Sequence, residues 1–180
     1  TVTGGSLTAA SITGGNTTVS GGAVVTSAGA NALDKLTASG SEMTMGATTI
    51  AGDMELTGGS YAFDSLAVAG NADITDVSGT LTKVDSSFGT MTVDGTSNAA
   101  FTDTTSIADA LTNAATVTFD TLNITGAAAT VTNTGAITAD AVTGSGVTYN
   151  QTAGSLSMAS NGLSDSTLTV TGGTVKTDTL

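Results

Sequence analysis

Proline, cysteine, tryptophan, histidine and arginine are missing from this 180-residue sequence. Each absence closes a route. Without cysteine there are no disulfides and no thiol nucleophile. Without histidine there is no Ser-His-Asp triad, and without both there is no thiolate or imidazole metal site. Cations are scarce as well. Lys35, Lys83 and Lys176 stand against 15 carboxylates, for a formal net charge of −12. Such a chain is repelled by nucleic acid and by anionic lipid, and its natural small partners are cations. No run approaches the roughly 18 apolar residues of a membrane span. The first residues carry neither the basic segment nor the apolar run of a signal peptide, so in an exported protein this chain would be a mature or excised portion. Aromatics are few, with four Phe and two Tyr.

What is there is threonine, about a fifth of the residues, with Gly, Ala, Ser and Val making up much of the rest. β-Branched Thr and Val suit strands, and glycine supplies turns. Polar, low-complexity chains often stay unfolded. Against that outcome stand the sparse charge, the absence of proline and the regular offsets of Val, Ile and Leu.

Those offsets form a repeat. Gly4, Gly22, Gly40 and Gly58 are spaced by 18, as are Gly126, Gly144 and Gly162. Asp76, Asp85, Asp94 and Asp103 fall every nine residues. Thr1-Val2-Thr3-Gly4-Gly5 recurs as Thr169-Val170-Thr171-Gly172-Gly173, and Asp178-Thr179-Leu180 would run into the first residues to rebuild the motif at Asp64–Gly70 and Asp120–Gly126. Between the glycines lie short alternating runs, such as Leu66/Val68, Met91/Val93, Leu122/Ile124 and Leu168/Val170, which read as strands. Ile107, Ala110 and Leu111 have helical spacing instead, and Ser106–Ala115 reads as a short helical turn or an insertion. Phe63 and Phe119, each before an aspartate, mark equivalent places in the repeat as core or corner packing.

A sandwich needs longer strands, larger core residues and more aromatics. A solenoid does not, because its narrow interior takes small and medium side chains and each coil needs only its neighbours. The expected fold is all-β: a single-domain parallel β-solenoid (β-helix) over residues 1–180, with about 18–20 residues per coil and about 8–10 coils spaced by ~4.8 Å. An irregular insertion is expected around 96–118.

An 18-residue coil would put Asp76 beneath Asp94 and Asp85 beneath Asp103. Like charges at that spacing repel by about 1 kcal/mol in water. Bound Ca²⁺ would relieve the repulsion, which makes these four aspartates candidate calcium ligands. The plainer reading, favoured here, is that they are turn residues splayed outward.

The Gly-bounded strands and the Thr/Ala/Val/Asn-rich, nearly uncharged filler resemble the β-helical shafts of bacterial exoproteins, the filamentous-haemagglutinin-type adhesins and autotransporter passenger domains. The composition is also similar to that of bacterial surface-layer proteins. The resemblance implies a right-handed parallel β-helix exposed outside a cell, although those families have coils of about 19 to 25 residues. The Gly-Gly-x-Gly-x-Asp core of calcium-binding nonapeptide repeats does not occur, so that mechanism is not supported.

Chemistry is otherwise thin. Asp73 with Asp76, or Asp53 with Glu55, could serve as acid and base on a polysaccharide, but sugar platforms are limited to Tyr61 and Tyr149. Enzymatic activity is not expected. Thr-x-Thr pairs from Thr80 onward step by 10, 26 and 14 residues, which argues against the constant ladder of an ice-binding solenoid. The Asn-x-Thr sequons at Asn16, Asn123 and Asn150 are no more than chance supplies. The expected function is a non-catalytic structural module of an extracellular bacterial surface protein. It would be an adhesin shaft continuing in a longer chain, or a filament or layer subunit associating head to tail. The alternative is a calcium-dependent module that binds a surface or carbohydrate.

Overall fold

Thr and Val prefer extended backbone, and here that preference is met throughout. In the computed structural model, which describes residues 1–178, every helix or strand element is a strand. Every strand pairing is parallel. The chain winds into a β-solenoid of about nine coils. Residues 179–180, which close the end-to-start motif, lie outside the described residues.

Each coil has three faces. In one coil these are residues 36–39, 42–45 and 48–50, whose partners in the next coil are 54–57, 60–63 and 66–68. Longer strands bend through a corner and serve two or three faces. The strand Asn98–Asn113 contributes 98–101 to the second face, 104–107 to the third and 110–113 to the first of the next coil. The helical turn expected at Ser106–Ala115, and the insertion around 96–118, are therefore replaced by strand. Ile107 and Leu111 are both buried, but on successive faces with the exposed corner residue Asp109 between them. A corner between two inward residues imitates the four-residue spacing of a helix.

Coil length varies. Val2 pairs with Val19, a step of 17; Leu36 with Met54, a step of 18; Ser86 with Thr105, a step of 19; and Ser78 with Asn98, a step of 20. The extra residues are absorbed at corners and at irregularities such as that between Phe88 and Thr90, while the inward columns are kept. Gly4, Gly22, Gly40 and Gly58 all lie at the corner between the first and second faces with φ of +67°, +70°, +55° and +54°. A left-handed turn there favours glycine. In the next coil Asp76 occupies that position with φ of +57°, followed by Gly95 at +68°. Gly126, Gly144 and Gly162 do not stack, because the local pairs are Ile124 with Gly144 and Gly144 with Leu163.

The core is one cluster running along the axis. On the second face Met45, Phe63, Thr82, Phe101, Phe119, Ala139 and Met158 follow one another coil by coil. Phe63 and Phe119 thus hold equivalent positions, as expected. Phe101 stacks on Phe119 at 5.3 Å and meets Phe88, from the third face, edge-on at 5.8 Å. Thr82 interrupts this column, and its buried hydroxyl has no partner among the described residues. An unpaired buried hydroxyl costs about 1–3 kcal/mol. Replacing it with a methyl group in Thr82→Val is expected to stabilise the protein by about 1 kcal/mol, seen as a higher urea midpoint at unchanged slope.

Candidate functional site

Aspartate accepts backbone N–H groups at turns, and most of the notable carboxylates here do so between neighbouring coils. Asp76 Oδ1 accepts from the Thr96 backbone N–H at 2.7 Å and from Thr96 Oγ1 at 2.9 Å. Asp85 Oδ1 accepts from Thr104 N at 3.0 Å. Asp94 Oδ1 accepts from the adjacent Gly95 N at 2.7 Å. Asp103, with φ of +60°, donates its own N–H to Asp120 Oδ2 at 3.0 Å.

The four calcium candidates are not brought together. Asp76 and Asp94 lie at the end of the first face, while Asp85 and Asp103 lie at the corner between the second and third faces. The expected stacking also slips by one. The local step is 19, so Asp94 pairs with Thr75, and Gly95 follows against Asp76. Among the described residues no group of three or more His, Cys, Asp or Glu side chains assembles that could hold a metal ion.

The acid–base pairs considered from sequence are likewise dispersed. Asp53 sits at the corner between the third and first faces, where Oδ1 accepts from Asn71 N at 3.0 Å. Glu55 and Asp73 are instead partners on adjacent strands of the first face, both exposed. Two cavities stand out, of about 320 and 230 Å³, and neither is lined by Asp53, Glu55, Asp73 or Asp76. The larger lies on the third face along coils that include Thr49, Ala67, Ser87 and Ser106. The smaller lies among Tyr149, Leu156, Met158, Leu163 and Leu168 near the last coils. The Tyr149 hydroxyl is fully buried without a partner among the described residues, and burial pushes its pKa well above the ordinary tyrosine value.

One polar feature was not expected. Asn113, Asn133 and Gln151, all fully buried, form an amide ladder inside the first face. Asn113 Nδ2 donates to Asn133 Oδ1 at 2.8 Å, and Asn133 Nδ2 donates to Gln151 Oε1 at 2.9 Å. The remaining donor capacity goes to backbone carbonyls: Asn113 to Ala115 and Ala136, Asn133 to Ser155, and Gln151 to Ala153. The signal lay in the steps from 113 to 133 to 151 and in Gln151 being the sole glutamine, but it needs the coil register to be read. Members of three Thr-x-Thr pairs, Thr92, Thr132 and Thr169, also fall in one outward column, with Thr112 and Asn150 between them, because the coil length varies with their spacing.

The chain matches no protein-family model, no curated protein and no solved structure.

Two measurements check these assignments. Asn133→Ala removes a buried link from both neighbours and leaves Gln151 Oε1 without its donor, so a loss of about 3 kcal/mol is expected in urea unfolding. The Asp76 carboxyl is held below its ordinary value by the Thr96 backbone N–H, with the Thr96 hydroxyl second. A group depressed in the folded state contributes stability above its unfolded pKa of about 3.9 and loses it as pH falls through the lower folded value. Melting curves between pH 5 and pH 2 are therefore expected to drop less steeply in Asp76→Asn than in the parent.

Proposed function

We propose that this chain is a non-catalytic, rod-forming structural module of an extracellular bacterial surface protein, serving as the shaft of an adhesin or as a repeating subunit of a surface filament or layer. The observation that carries this reading is the continuity of the three parallel ladders. Each internal coil hydrogen-bonds to the coil before and the coil after, so the three faces continue along the axis and length is set by coil number. About nine coils at ~4.8 Å make a rod of roughly 40–45 Å. The shaft-like composition and the low charge on the faces support an exported role. The last described coil leaves Leu168 and Val170 about half exposed.

The test is antibody labelling of intact cells of the producing bacterium. Label on unpermeabilised cells, along a fibre or layer seen by electron microscopy, is the expected result. Label that appears only after permeabilisation overturns the proposal.

A further inference from the structure

We propose that the cavity on the third face is a binding groove for a linear neutral glycan. Its long direction crosses four successive strands, from Ala47–Thr49 through Ser65–Ala67 and Asp85–Ser87 to Thr104 and Ser106. It therefore runs parallel to the rod axis over about three 4.8 Å steps, or ~14 Å. That shape takes an extended chain rather than one compact ring. The volume of about 320 Å³ is at the small end of the range for ligand clefts, roughly 300–1,000 Å³.

The lining chooses the ligand. Ala47 and Ala67 give a small apolar patch suited to the C–H face of a sugar ring, while Leu66 between them points into the core. The hydroxyls of Thr49, Ser65, Ser87 and Ser106 have no partner among the described residues, and each can both donate and accept, as a polyol requires. Higher on the same face this is not so: Thr143 Oγ1 donates to Asn123 Oδ1 at 3.0 Å, which ties the outward column together. Asp85 uses Oδ1 on Thr104 N and keeps Oδ2 without a partner among the described residues, so it can accept from a sugar hydroxyl. The nearby ammonium of Lys83 is engaged 3.0 Å from Asp64, so nothing here attracts an anion, and Asp85 with a net charge of −12 repels one. The corner leading into Asp85 carries the extra residues that lengthen the step from Leu66 to Ser86 to 20, whereas the step from Thr48 to Leu66 is 18. The groove thus sits where the solenoid departs from its regular outline. It does not depend on the rod acting as a shaft.

Isothermal titration with cellohexaose, xylohexaose and mannohexaose, against an acidic galacturonate hexamer, tests the proposal. The double variant Ser87→Val/Ser106→Val deletes two hydroxyls while keeping strand-compatible side chains. Thr118→Val, an exposed position on the second face, is the control. Saturable binding of at least one neutral hexamer is expected, about tenfold weaker in the double variant, unchanged in the control and undetectable for galacturonate. Melting midpoints within a degree or two of the parent would show that the variants fold. Binding of none of the neutral hexamers, equal binding by the double variant, or preference for the acidic hexamer each overturns the proposal.

Discussion

The backbone hydrogen bond between one coil and the next is what everything else here rests on. In this architecture a strand's partners are a full coil away in sequence, never the adjacent residues. Each coil must therefore present N–H and C=O groups at the heights where its neighbours need them. A side chain that spoils the outline of one coil disturbs two others. This explains why the interior is built in columns, Phe on Phe and amide on amide, and why the corners carry glycine or an aspartate in a left-handed turn.

Polar groups follow the same requirement. The Asn113–Asn133–Gln151 ladder sits in a column that elsewhere holds Leu56, Ile74 and Val93. Amides are tolerated there because their donors and acceptors are spaced by the coil rise, so each finds its partner in the adjacent coil. Thr82 shows the opposite case, a hydroxyl between aromatic neighbours that the stacking cannot satisfy. At the surface, Asp76 and Asp85 hold backbone N–H groups of the following coil, which gives carboxylates a structural use at the corners.

The parts of this fold legible in the sequence were those repeated in every coil. Alternation at Leu66/Val68 and Leu122/Ile124, and the glycines from Gly4 to Gly58, carry strand, corner and coil length together. What the sequence hid was local register. Between Phe88 and Thr90 the pairing shifts, and a count by 18 then misplaces Asp94 against Asp76 and misses the alignment of Thr92, Thr112 and Thr132. Strands that bend at corners, such as Asn98–Asn113, also disguise their period, so Ile107 and Leu111 imitated a helix. The amide ladder and the groove at Ser87 and Ser106 were hidden for a related reason. Both are relations between residues 18 to 20 apart, and a chain whose spacing drifts gives no fixed offset at which to look for them.

Because the interstrand bonds point along the long axis, tension applied to the two ends of the rod loads them end-on, a few at a time. Coils would then peel off singly from a terminus, and each would release about 18 residues of slack, roughly 60 Å of extended chain. A pulled molecule of this kind lengthens stepwise under load while its remaining turns stay folded, and so behaves as a molecular shock absorber.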